Sequence, residues 1–238
     1  YVNPSAVNTV RGRTDLVRLQ AIRTDGFDGP IDLRLAGVPD GYVLAGAQVP
    51  AGRDGVTCTL TTPRDAPEGK GPLYIVGEAT TARGIIARYA QPADTWEQAF
   101  AYSHLVPAAE HLVCIPQHRG SATTHRLATR QPVPVVPGES TKVVFSTPTQ
   151  TPPSEAEFRL FEAPAGLSIR DFDFEAGTVE LTLKAEKKLD APVGSTGNVI
   201  AQMWVTVRPK PQAGKPAAAP RQYAAGFLPA IQYVVTKG

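Results

Sequence analysis

The sequence predicts an all-β chain built as two antiparallel sandwiches in tandem with a short helical connector between them. Three observations carry that prediction. Apolar and polar residues alternate at period two in one short run after another. Turn clusters separate the runs, and 23 Pro and 21 Gly among 238 residues make turns frequent and helices few. The length suits two sandwiches of about 100 residues each better than one.

The runs support this in order. Val17, Leu19 and Ala21 share one face of a strand, and the stretch 24–30 is a turn by composition. Ile31, Leu33 and Leu35 alternate with Asp32 and Arg34, and Val56, Cys58 and Leu60 alternate with Thr57, Thr59 and Thr61. With further strands at 73–79 and 85–89 and a leading one near 7–10, the first sandwich is expected over 1–92. Asp94-Thr95-Trp96-Glu97 reads as a capping box, so a helix is expected within a connector over 93–110. Pro107 limits it to about two turns. The second sandwich is expected over 111–238, with strands near 141–146, 157–161, 167–169, 179–183 and 199–207. Four prolines between 208 and 221 make that stretch an exposed loop, and 223–235 is the closing strand, interrupted at Pro229.

Composition narrows the function classes. Apolar residues form 42% of the chain and charged residues 19%, which fits folded modules rather than a disordered chain. Net charge is +2 and no block of like charge occurs, so nucleic acid is not an expected partner. No apolar run approaches the roughly 18 residues of a membrane span. The sequence begins at Tyr1 rather than Met, which fits a processed or truncated product, whose targeting segment would already be gone.

From Gly26 to Ala79 the chain resembles immunoglobulin-like modules of large exported proteins from environmental bacteria. The residues that carry the resemblance are Gly26-Phe27-Asp28-Gly29-Pro30-Ile31-Asp32-Leu33, Gly37-Val38-Pro39-Asp40-Gly41-Tyr42, Val49-Pro50-Ala51-Gly52 and Asp65-Ala66-Pro67-Glu68-Gly69. The close of the chain, Gly226-Phe227-Leu228-Pro229-Ala230-Ile231, is similar to the close of such proteins. The resemblance implies an immunoglobulin-like fold for each sandwich. It implies a structural or adhesive role in a periplasmic, secreted or cell-surface assembly, or an accessory role beside a hydrolase that engages carbohydrate. The paired cysteines and intervening Trp of antibody domains are not evident.

No catalytic signature occurs: Gly-x-Ser-x-Gly, His-Glu-x-x-His, a phosphate loop and a dinucleotide fingerprint are all missing from the sequence. The expected activity is binding without chemistry and without a cofactor. Trp96, Phe100 and Tyr102 are the candidate anchors for a protein partner, with packing of the connector as their competing role. Tyr42, Tyr74 and Trp204 are the candidates for a carbohydrate platform. His104, His111, His118 and His125 recur every seven residues and are the chain's full set of imidazoles. They form the weak alternative for a metal site, since prolines and Gly120 forbid the one helix that would align them. Cys58 and Cys114 are candidates for a disulfide in an oxidising compartment, or for buried free thiols. Asp171, Asp173 and Glu175 alternate with Phe172 and Phe174, a polar outer face over an aromatic inner one.

Overall fold

A computed structural model of the chain describes residues 1–99, 101–117, 120–148, 155–208 and 219–238. Among these residues every regular element is a strand. The first group of strands is β1 (Val2–Asn3), β2 (Ala6–Asn8), β3 (Thr14–Gln20), β4 (Ile31–Ala36), β5 (Val43–Ala45), β6 (Gln48–Val49), β7 (Gly55–Thr61), β8 (Gly69–Pro72), β9 (Tyr74–Thr81) and β10 (Gly84–Tyr89). Next come β11 (Ala93–Gln98), β12 (Tyr102–Pro107) and β13 (Leu112–Ile115). The remainder is β14 (Arg126–Leu127), β15 (Val133–Val135), β16 (Ser140–Ser146), β17 (Ala156–Phe161), β18 (Leu167–Glu175), β19 (Thr178–Ala185), β20 (Thr196–Val207), β21 (Arg221–Phe227) and β22 (Ile231–Val235).

In the first group, one sheet runs β1-β3-β7-β5 and its companion β10-β9-β4-β6. Lettered along the chain, these are the A-B-E-D and G-F-C orders of the immunoglobulin sandwich, with β6 added beside C. The inward residues of the alternating strands fill one core: Val17 and Leu19, Val56, Cys58 and Leu60, and Leu73 and Ile75. In the second group, β14-β16-β19-β18 faces β15-β22-β20-β17, again A-B-E-D against a G-F-C sheet, with β15 parallel to β22. Val143, Phe145, Val179, Leu181 and Leu183 meet Val199, Ala201, Ile231 and Tyr233 in a separate core.

In both groups the F region has two pairing partners on one side. Residues 202–207 of β20 pair with β21, while residues 196–199 pair with β22. In the first group β9 pairs with β10, and the preceding β8 pairs with β13, which also runs parallel to β2. Thus 112–115, read from sequence as the start of the second sandwich, hydrogen-bonds to the first.

The helical connector is not formed. Ala93–Gln98 and Tyr102–Pro107 make an antiparallel ribbon, from Ala93 opposite Pro107 to Gln98 opposite Tyr102. Asp94 caps no helix; its carboxylate accepts from Ser5 N at 2.9 Å and Ser5 Oγ at 2.7 Å. Ala99 turns the chain at φ 52°, and Ala101 N donates back to Gln98 O. Thr95, Trp96, Tyr102 and Val106 are residue types that favour an extended chain, and with the cap drawn off to Ser5 nothing holds a first helical turn. The Pro-rich stretch 208–221 falls largely on 209–218, outside the described residues, and Arg221 already begins β21.

The two groups pack against each other. Asn198 Nδ2 donates to Gly46 O and to Thr57 O, each at 2.8 Å, and Ala230 N donates to Thr59 Oγ1 at 2.8 Å in a buried contact. Ile200 shares the Asn198 face of β20 and is 1% exposed, although it belongs to neither core. Glu162 forms an ion pair with Arg18 and accepts from Thr57 Oγ1 at 2.6 Å. Gly46 sits where the chain passes from β5 in one sheet to β6 in the other. Its φ is 72°, and a Cβ there would lie 2.2 Å from Asn198 Nδ2. The stretch 120–125 is likewise tied down: Ala122 N donates to Arg11 O and Thr124 Oγ1 to Gly12 O.

Candidate interaction surface

The β11–β12 ribbon is riveted at its base. Besides the Asp94–Ser5 pair, Asn3 Nδ2 donates to Ala93 O and Thr95 Oγ1, and Gln91 Nε2 donates to Ala108 O. Beyond this base the side chains of the ribbon are mostly exposed. Strand alternation puts Trp96 and Gln98 on one face, and the register sets Trp96 opposite His104 and Gln98 opposite Tyr102. Trp96, Tyr102, His104 and Val106 therefore form a single face. Trp96 is 65% exposed and Tyr102 67%, and the Tyr102 and His104 rings stack with centroids 6.4 Å apart. Phe100 lies outside the described residues.

A second exposed surface belongs to β10, the open edge of its sheet. All six of its residues are exposed, with Ile85, Ile86 and Tyr89 as the large apolar ones. The β9–β10 hairpin overhangs the sandwich, so its inner face borders a trough of about 810 Å³ whose walls include Ile22, Phe27, Leu33, Ala79, Ile86 and Arg88. Arg23 braces one wall: its guanidinium donates to the carbonyls of Gly29, Pro50 and Arg53 and lies 5.6 Å from the Phe27 ring centre. Another groove, of about 730 Å³, follows the junction between the two groups beside Arg18, Thr57, Glu162 and Asn198. There the charges neutralise each other across the contact.

The other sequence candidates stay apart. His104 is exposed on the ribbon, while His111 and His125 are buried, 4% and 6% exposed. Burial pushes the pKa of each buried imidazole down to about 4. Neither ring nitrogen of His125 has a hydrogen-bond partner among the described residues. His118 lies outside them, and among them no group of three His, Cys, Asp or Glu is placed to hold a metal. Cys58 and Cys114 are free thiols, so the bridge considered from sequence is not formed in this structure. Cys58 is walled into the first core and donates to Gly46 O at 3.1 Å; burial pushes its pKa up to about 12. Tyr42 packs against the first core, Tyr74 meets Tyr89 edge-on, and Trp204 lies under the Arg159 guanidinium at 4.6 Å. These three do not make one flat aromatic row.

The missed features are the β10 edge and the junction. Period-two alternation gave β10 as a strand but could not show that no described strand pairs with its outer side. The Thr face of β7 reads as solvated in sequence, yet Thr59 and Thr61 are buried.

Among the described residues no helix is long and apolar enough to cross a membrane. No family model matches the chain, and no curated protein does. Among solved structures, the D0-D1 domain of intimin is 12% identical, with 98% of this chain and 96% of that one covered at a TM-score of 0.27. A protein of unknown function from Porphyromonas gingivalis W83 is 13% identical, with 98% of each chain covered and a TM-score of 0.27. The titin Ig tandem domains A164-A165 are 11% identical at a TM-score of 0.21, with 98% and 93% covered. The strand order within each pair of sheets is that of the immunoglobulin sandwich.

Proposed function

We propose that the chain is a tandem of two immunoglobulin-like modules acting as a non-catalytic protein-interaction element of an exported bacterial protein. The first module comprises the strands up to β13, the second those from β14 onward. The observation that supports binding is the ribbon face: Trp96, Tyr102 and Val106 stand exposed on strands anchored at their base. Exposed aromatics cost little conformational entropy to bury and supply large contact area, which is why they dominate protein interfaces. The reading against chemistry has its own support. The groups with the largest pKa displacements, Cys58, His111 and His125, are packed inside the fold and border neither groove.

Export and a periplasmic, secreted or surface location belong to this proposal through the sequence resemblance. Carbohydrate binding is the less favoured alternative, given how Tyr42, Tyr74 and Trp204 are engaged. The test is to compare the chain with its Trp96→Ala/Tyr102→Ala variant. Loss of partner capture with unchanged melting supports the reading; turnover of a substrate by the purified chain overturns it.

A further inference from the structure

The β10 edge differs from an ordinary sheet edge in three ways. An exposed edge offers unpaired N–H and C=O groups to any passing strand, and proteins normally blunt it with charge, proline or a bulge. β18 of the second group shows that protection: a register shift falls between Ile169 and Asp171, and Asp171, Asp173 and Glu175 are all exposed on it. β10 has no bulge and no acid, and its one charge is Arg88. Its register with β9 is unbroken from Gly84 opposite Thr81 to Tyr89 opposite Val76, and its sequence, Gly-Ile-Ile-Ala-Arg-Tyr, contains no proline and no acid. Ile85 and Tyr89 are 74% and 70% exposed on one face of it.

The surroundings specify what would fit. A strand laid along β10 would project alternate side chains over the trough, where Ile86 and the 71% exposed Ile22 offer apolar contact. The remaining side chains would lie beside Ile85 and Tyr89. Arg88 shares the Ile86 face by alternation, both it and Arg83 border the trough, and neither enters an ion pair among the described residues. Arg88 instead donates to the Ala87 carbonyl of its own strand. Asp25 is the one acid on the trough against Arg23, Arg83 and Arg88. A second copy of this edge would bring four of these unpaired cations, two from each copy, into one seam. An acidic strand would neutralise them.

Resting on the interaction-module reading, we propose that β10 is a strand-addition site for an extended protein segment whose trough-facing side carries an apolar residue beside Ile86 and Asp or Glu two positions away beside Arg88 or Arg83. Main-chain pairing supplies the docking geometry, the trough selects the apolar side chains, and Arg83 and Arg88 select the charge.

The experiment uses the full chain and a displayed library of random ten-residue peptides. The selected peptides should be enriched in an apolar residue with Asp or Glu two positions away. They should bind the Arg83→Glu/Arg88→Glu variant at least tenfold more weakly, and they should slow amide exchange across 84–89 at least tenfold. Ala87→Pro, which removes an edge amide, should abolish binding, while Ile86→Lys gives an independent readout of the trough if the proline variant melts early. Selection of basic or charge-indifferent peptides overturns the proposal, as does binding that leaves the 84–89 amides unprotected. So does self-association of the chain that Ile86→Lys abolishes, because it makes a second copy the occupant. Partner capture that depends on Trp96 and Tyr102 but ignores Arg83 and Arg88 would sink this site and leave the broader interaction reading standing.

Discussion

The β7 face and the β10 edge belong to the same sandwich and have opposite fates. Thr57, Thr59 and Thr61 look in sequence like a solvated face, yet Thr59 and Thr61 are buried: Ala230 N donates to Thr59 Oγ1, Asn198 Nδ2 donates to Thr57 O, and the Thr61 hydroxyl pairs with that of Thr14. Ile85, Ile86 and Tyr89 look like residues that need cover, yet they are exposed. Polarity alone therefore does not say which surface is closed. The closed face has a hydrogen-bonding complement within the chain, and the open edge has none among the described residues. The contrast divides the consequences of mutation: changes at the covered face should cost stability, and changes at the open surfaces should cost only binding.

The largest effect is expected at Gly46. Replacing it with Ala puts a Cβ 2.2 Å from Asn198 Nδ2 and forces an L residue to hold φ 72°. The backbone conformation alone costs roughly 1–2 kcal/mol. Expelling Asn198 from its two carbonyls brings the total to about 3 kcal/mol. Chemical denaturation should show this loss. In an Asn198→Ala background the steric part disappears, so the two substitutions should be less than additive. Full additivity would mean that Gly46 and Asn198 do not meet across the junction.

His111 and His125 test the covered interior through pH. Both are held neutral by burial, with pKa values near 4 in the folded chain against 6.5 for the free imidazole. Between these values the unfolded chain binds more protons, so stability falls as pH drops from about 6.5 to about 4 and levels off below. Each shift corresponds to about 3 kcal/mol by linkage. Melting followed from pH 7.5 to 4.5 should show the loss. His125→Phe should remove close to half of it at little cost near neutrality, because no hydrogen bond of the ring is lost. A flat profile would mean that both imidazoles take up protons in the folded state.

The smaller stability effect belongs to Asn198→Ala. It removes two donors' bonds to Gly46 O and Thr57 O and should cost about 1–2 kcal/mol, since those carbonyls stay partly buried without a partner. No change would mean that the two modules are held by apolar contact alone.

How much of this was legible follows the range of the physics. Alternation is local, so Val17 and Leu19, Val56 to Leu60, and Val179 to Leu183 could be placed on buried faces from sequence. The strand break around Pro229 is local too, because proline cannot donate to a ladder. The connector failed because the Asp94–Glu97 pattern serves two purposes. A capping box and an extended run that turns at Ala99 look alike over four residues, and Ser5, far away in sequence, decides between them. The pairing of β13 with β2 and β8 was beyond reach for the same reason. Trp96 and Tyr102 read in sequence as anchors on a helical connector, and they share a face on a ribbon instead. The spacing of six residues fits neither helical period, but the turn folds it into near neighbours.

The smallest stability effect, and the sharpest check on the contrast, is expected at Trp96. On a helix packed against a core, truncating it would open a cavity and cost about 3–5 kcal/mol. On the ribbon its ring is 65% exposed, and the strand is held at its base by Asp94, Asn3 and Gln91 rather than by the ring. What Trp96 contributes to folding is the cross-strand contact with His104 and its neighbours, worth about 0.2–1 kcal/mol. Trp96→Ala should therefore move the denaturation midpoint little, and Asp94→Ala should move it more by freeing the Ser5 amide and hydroxyl. The reverse order would place Trp96 in a packed contact and remove the ribbon face from the interaction surface. If the order holds and Trp96→Ala also loses a partner, the lost affinity comes from contact with that partner and not from a damaged fold.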